Sequence, residues 1–326
     1  MAEVTPEKMA AQEDAHNRTE WERQRIEYYN GLRYKFSRVD VDYWLDTLYD
    51  QQKAEYKAQK DPSWNQIRKE AGIGLFENAF AFISEEKRKA IESRKAEVKK
   101  RMQAEVDNTN AANRERCYAY NSRLRERLQL KLRRLTSHEP EEVEEYFTFV
   151  LNTDSFALDG NEYPQNFNLI YKPQNKQLVI DYNLPTMDQV SQVKEWKADK
   201  NNDVTPKLMN KTDYLEMYER VLFDLSMRAV GMLFLSDGNN NLNSIVFNGS
   251  CIYNNWQDRP TILISFEMSK SQYSYDRISR MDCISKEEIA KLKDVRYLDD
   301  IHSQKAPSDL WETPPSKLVV PIQSSF

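Results

Sequence analysis

Residues 133–151 read RRLTSHEPEEVEEYFTFVL, and the change of character inside this stretch decides the fold. Its first residues close a long charged segment. Upstream, 85–106 (EEKRKAIESRKAEVKKRMQAEV) holds no Gly or Pro, is rich in helix formers and mixes both charge signs. Ile83, Ile91, Val98, Met102 and Val106 form one narrow apolar stripe at helical spacing, which suits a helical hairpin or coiled coil better than a buried helix. Residues 113–135 are a second helix candidate, with Cys117, Tyr120, Leu124, Leu128, Leu132 and Leu135 on its apolar face. Between them, Asp107-Asn108-Thr109-Asn110 is a cluster that prefers turns and caps, so an antiparallel hairpin is predicted. Residues 21–60 and 75–84 also read as helix, parted by Asp61-Pro62-Ser63.

Beyond Glu139 the apolar residues alternate with polar ones, as in half-buried strands. First comes a short helix at 141–151, whose acidic first turn favours the helix dipole. A strand at 167–171, a turn at 173–176 and a returning strand at 177–182 follow, with Pro185 ending the ladder. Residues 190–197 read as a third strand. The strongest helix spans 213–235, with Leu215, Tyr218, Leu222, Leu225 and Ala229 on one face and Asp237-Gly238-Asn239 as its stop. Apolar strands at 244–248 and 261–266 come next. The chain is mixed from Tyr273, and 311–326, with Pro314, Pro315 and Pro321, reads as extended. The prediction is an α+β protein: a helical arm with a coiled-coil-like hairpin over 1–137, then an α+β domain over 138–326 in the order helix, three strands, helix, two strands.

Composition sets the limits on function. The 326 residues suggest roughly two domains. Hydrophobic residues make up 40% and charged residues 30%, and mean hydropathy is −0.82, which fits exposed charged helices. Seven glycines argue against glycine-rich phosphate loops. The net charge of −5 gives no global nucleic-acid signal, so any basic surface is local. Cys117, Cys251 and Cys283 are far apart with no CxxC, which disfavours a disulfide framework or zinc ribbon and suits a reducing interior. The N-terminus is acidic and polar, unlike a secretory signal. The longest apolar run, near 229–235, falls short of the roughly 20 residues of a membrane span. A cytoplasmic protein without membrane contact is expected.

Three constellations could carry chemistry. His16, His138 and His302 are the only histidines, and neither HExxH nor a Walker lysine loop occurs. Gly72-Ile73-Gly74 has Glu77 at the third glycine position and reads as a helix-breaking turn. Asp181, followed after thirteen residues by Glu195-Trp196-Lys197, has the D…ExK spacing of metal-dependent nucleases. In those, two carboxylates hold a divalent cation such as Mg²⁺ and the lysine positions water. The strand and helix order also resembles the PD-(D/E)XK core, to which Glu142 or Glu145 could add a carboxylate. The competing reading is an exposed strand face on which Glu195 pairs with a cross-strand lysine. Residues 114–134 carry eight cations against Glu115 and Glu126, a local charge of +6. Arg123, Arg127 and Arg134 are the candidates for phosphate contact there; the alternatives are a solvated face or pairing with the acidic run at 139–145. Tyr28, Tyr29, Arg33, Tyr34, Lys35, Phe36, Arg38, Tyr43 and Trp44 mix aromatics with cations, and read as a buried helix face with snorkelling arginines more readily than as a base-stacking surface.

A set of short stretches resembles a known family: 139–151 (EPEEVEEYFTFVL), 178–185 (LVIDYNLP), 193–197 (VKEWK), 224–228 (DLSMR) and 244–249 (SIVFNG). Together they cover about 139–268, and their order is similar to the module upstream of the nuclease domain in bacterial Mrr-type restriction endonuclease-like proteins. Arg280-Met281-Asp282-Cys283 departs from that family's pattern, and no Mrr nuclease domain follows. The resemblance implies a bacterial antiviral-defence setting. It suggests an accessory or adaptor protein without catalysis or cofactor of its own, binding a protein of a defence complex, or nucleic acid through 114–134, and able to oligomerise through the arm. The alternative is a Mg²⁺-dependent nuclease using Asp181, Glu195 and Lys197.

Overall fold

The computed structural model describes residues 5–74, 85–158, 160–252, 260–273 and 296–297. The helix expected at 75–84, Cys283 and the extended run at 311–326 lie outside them. The helices are α1 (Pro6–Tyr29), α2 (Val41–Gln52), α3 (Trp64–Glu70), α4 (Glu85–Thr136), α5 (Pro140–Asn152) and α6 (Lys211–Ser236). The strands are β1 (Ala157–Leu158), β2 (Asn161–Glu162), β3 (Phe167–Lys172), β4 (Gln177–Asn183), β5 (Val193–Ala198), β6 (Val204–Leu208), β7 (Ser244–Ile252), β8 (Pro260–Ser269) and β9 (Arg296–Tyr297). The protein is therefore α+β, with a long helix followed by a sheet-bearing region. It divides into two units, one of residues 1–44 and 132–326, the other of residues 45–131.

That division differs from the expected boundary at 137/138, because the first 44 residues belong with the sheet. The reason lies in how α1 is held. Its buried residues are Ala11, Ala15, Glu22, Arg25 and Tyr29, too polar to show a hydrophobic period. It docks through hydrogen bonds to the open edge of β5. The Trp196 backbone N–H donates to Thr19 Oγ1 at 2.8 Å, Arg25 Nη2 donates to the Val193 carbonyl at 3.1 Å, and the Trp196 indole donates to Glu22 at 3.2 Å. Glu22 and Arg25 pair at 2.5 Å, both buried. Edge groups that would otherwise recruit another strand are thereby satisfied.

The chain turns at 137–139, between α4 and α5. His138 adopts a positive φ of 61°, its N–H bonds the Leu135 carbonyl, and the Glu139 N–H reaches back to that of Arg134. This pair of bonds is a Schellman-type stop. Pro140 then opens α5, whose buried Val143, Tyr146, Phe147, Val150 and Leu151 recur at helical spacing. α6 is a central helix, with 20 of its 26 residues buried. Gly231 lets it approach its neighbours: a Cβ there would lie 2.8 Å from the Phe36 ring.

The main sheet has the order β3-β4-β7-β8-β9. β3 and β4 form the predicted antiparallel hairpin, β7 joins β4 in parallel after the α6 crossover, and β7–β8 is antiparallel. One face carries Leu178, Ile180, Tyr182, Ile245, Phe247, Ile264, Phe266 and Met268, all essentially inaccessible. A file of rings, Phe167–Tyr182–Phe247–Phe266, crosses the strands at centroid spacings of 5.5–6.3 Å. The other face bears a polar row, Asn168–Asp181–Asn248–Ser265, in direct register.

The unit of residues 45–131 corrects two expectations. α4 is one continuous helix of 52 residues with no break at 107–110, so the hairpin is not formed. Residues 53–60, expected to be helical, are not. Both differences have one cause. Asn121 accepts from the Ala54 N–H at 2.8 Å and donates to the Ala54 carbonyl at 3.0 Å; Asn110 does the same for Gln59, at 2.8 and 3.2 Å. Eleven helical residues and five extended residues both span roughly 16.5 Å, so two asparagines three turns apart grip one extended strap. Gln103 adds a bond to Asp61 at 2.8 Å.

Candidate functional site

The D…ExK residues are not brought together. Asp181 lies on β4 in the main sheet, where it accepts from Asn248 Nδ2 at 2.8 Å. Glu195 and Lys197 lie on β5, which pairs only with β6 among the described strands. Glu195 sits directly across from Lys207 and bonds it at 2.8 Å, with Lys197 at 3.4 Å. The Lys207 ammonium, then Lys197, holds the Glu195 carboxyl below the usual range. This is the cross-strand pairing that competed with the catalytic reading. A metal-dependent nuclease needs the ExK strand beside the Asp strand; here Asn168 and Asn248 flank Asp181. Asp181 and Glu195 therefore do not fit a shared divalent cation, and the third strand of a PD-(D/E)XK-like sheet is missing from the main sheet. Glu142 is buried and bonded to Arg134 at 3.3 Å, and so is committed elsewhere.

The basic run 114–134 is sorted by the helix into occupied and outward-facing cations. Arg114 stacks on Tyr56 and Arg125 on Tyr49, both within the unit of residues 45–131. Arg134 belongs to the other unit and pairs with Glu142 at 3.3 Å and Glu139 at 3.6 Å, so it is not the open phosphate contact anticipated. Arg123 and Arg127 are exposed. So is Arg116, which the sequence reading did not single out. At 100° per residue, 116, 123 and 127 fall within about 40° of one another around the axis. Tyr120 and Leu130, 44% and 48% exposed, flank the same stripe. Leu124 and Leu128, buried, lie about 100° round the axis from this stripe. The missed signal was the 7-and-4 spacing of the three arginines, out of phase with the leucines.

The aromatic-basic stretch is core only in part and is not one helix face: residues 35–40 are neither helix nor strand, and Lys35, Arg38 and Tyr43 are exposed. Tyr29, Leu32 and Trp44 are buried, and Trp44 packs on Tyr146. One of its cations, Arg33, meets a carboxylate of α6. Arg33 Nη1 lies 3.4 Å from the fully buried Asp224. Burial pushes the Asp224 carboxyl up to about 7, against the opposing pull of Arg33 and Arg220. One turn later, Arg228 holds Asp154 through Nε at 2.6 Å and Nη2 at 2.5 Å, and donates from Nη1 to the Leu32 carbonyl at 2.7 Å. Beside this pair opens a cavity of about 540 Å³, lined in part by Lys35, Phe36, Arg38, Tyr43, Ser155 and Arg228. A buried Asp and Arg four residues apart in an apolar helix were the available signal for this cluster. No protein-family model matches the chain, and no curated protein or solved structure does either. No helix among the described residues is long and apolar enough to cross a membrane.

Proposed function

We propose that the protein is a non-catalytic accessory protein that binds nucleic acid along the outward stripe of α4. The observation that carries this reading is the exposure of Arg116, Arg123 and Arg127 on one side of a continuous helix, while Arg114, Arg125 and Arg134 of the same run are engaged by aromatic rings or carboxylates. Cations at axial intervals of about 10 and 6 Å can neutralise successive backbone phosphates without reading bases. The resemblance to the module upstream of Mrr-type nucleases supplies the proposed setting, a cytoplasmic bacterial defence complex in which catalysis resides in a partner. The exposed Tyr118, Tyr120 and Leu130 favour a second reading, in which a partner protein docks on the same helix.

The test is binding of fluorescent single-stranded and duplex oligonucleotides at low salt. The parent should bind, and the variant Arg116→Gln/Arg123→Gln/Arg127→Gln should bind at least tenfold more weakly with unchanged helicity. A parent that binds neither oligonucleotide would dismiss the nucleic-acid reading and leave the partner-protein one.

A further inference from the structure

The cavity beside Arg228 lies wholly within the unit that contains the sheet, far in sequence from the α4 stripe. Its charged lining divides into spent and unspent groups. Asp154 is held by both ends of the Arg228 fork. Asp40 accepts from the Tyr43 N–H at 2.8 Å and so caps α2. Lys35 and Arg38 are exposed in the wall and form no ion pair with a described residue; the Lys35 ammonium rests over the Tyr28 ring at 4.2 Å. Arg228, 3% exposed, uses one N–H on each of its three nitrogens. A guanidinium has five, so Nη1 and Nη2 each keep one. The cavity thus presents a buried guanidinium with spare donors, the Arg38 cation, the Lys35 ammonium resting on a ring but facing no carboxylate, and the hydroxyls of Ser37 and Ser155. Phe36 and the 57% exposed Tyr43 supply aromatic surface. Its volume of about 540 Å³ lies in the range of small-ligand sites.

We infer that this cavity binds a small phosphate ester bearing a flat ring, of the mononucleotide class. The phosphate is held by Arg38, Lys35 and the spare Arg228 donors, where charge-assisted bonds are strongest. The ring lies against Tyr43. The proposal is independent of the α4 stripe and of the function assigned to it.

Calorimetric titration of the full chain with adenosine, guanosine and cytidine monophosphates, adenosine and inorganic phosphate tests it. At least one monophosphate should bind with a Kd below about 1 mM, with adenosine and inorganic phosphate at least tenfold weaker. Lys35→Gln/Arg38→Gln should lower monophosphate affinity at least tenfold. Ser155→Asp, which adds a carboxylate to the wall at an exposed position, should do the same without relying on removed cations. The Arg116→Gln/Arg123→Gln/Arg127→Gln variant should bind as the parent does. Absence of saturable binding by any monophosphate, equal affinity for inorganic phosphate, or affinity untouched in both cavity variants would overturn the inference.

Discussion

Asp224 shows how one residue can oppose the fold that contains it. Its carboxyl is fully buried, and neither oxygen accepts a hydrogen bond from a described residue. The Arg33 contact at 3.4 Å does not offset the loss of hydration. With the folded-state value raised from 3.8 to about 7, the native chain keeps a proton between pH 4 and 7 that the unfolded chain has released. Its contribution to stability is therefore fully present below pH 4 and is lost as pH rises through 7. We predict that Asp224→Asn stabilises the protein at pH 8 by an amount on the order of 1–3 kcal/mol, with a raised melting temperature, and has little effect at pH 4. Urea or thermal unfolding of both proteins across this range checks it; a variant less stable than the parent at pH 8 would show that the ionised Asp224–Arg33 pair is net stabilising. Such buried charges were only partly legible. The sequence shows Asp224 and Arg228 on an apolar helix but not which of the many cations meets them. The D…ExK spacing failed for a related reason: spacing fixes which residues lie on strands, and strand pairing decides which of them meet. Glu195 found Lys207 across β5–β6, a strand pair whose second member, with Pro206 in it, carries little strand signal.

At the scale of elements, α4 and its strap hold the main lesson. Asn108, Thr109 and Asn110 were read as a turn because these side chains compete with helical hydrogen bonds. Asn110 instead spends its amide on the Gln59 backbone, a partner 51 residues away that local rules do not see. The correct reading was available in phase. Val106, Asn110, Cys117, Asn121, Leu124 and Leu128 all lie on the inward side, so the stripe runs through the supposed break without slipping. Elements fixed by local pattern, such as α5, α6 and the β3–β4 hairpin, were legible to within a few residues. Spin labels at the exposed positions Glu92 and Glu126 should give a separation of about 50 Å; a hairpin would bring them within about 20 Å. Asn121→Ala removes the acceptor of the Ala54 N–H and one donor to the Ala54 carbonyl, which keeps the Cys117 thiol at 3.0 Å. It should destabilise the strap by about 1–2 kcal/mol and raise amide exchange across residues 53–59, while α4 stays helical. Unaltered exchange there would mean that the asparagine grip is not what holds the strap.

For the whole molecule, the issue is how a chain of net charge −5 could bind a polyanion. Long-range attraction is absent, so binding must come from short-range contacts on one helix stripe, and screening acts within about 10 Å at 0.1 M salt. Exposed arginines contribute little to folding, so their removal should leave stability within about 0.5 kcal/mol while changing the response to salt. The salt dependence of binding therefore tests the central claim most directly. Affinity for an oligonucleotide is measured between 50 and 200 mM salt for the parent and for Arg116→Gln/Arg123→Gln/Arg127→Gln. Three phosphate contacts predict a parent slope of log K against log salt of about −2 to −3, and a variant slope near zero. Equal slopes in the two proteins would contradict the account, because any phosphate contact would then lie off this stripe.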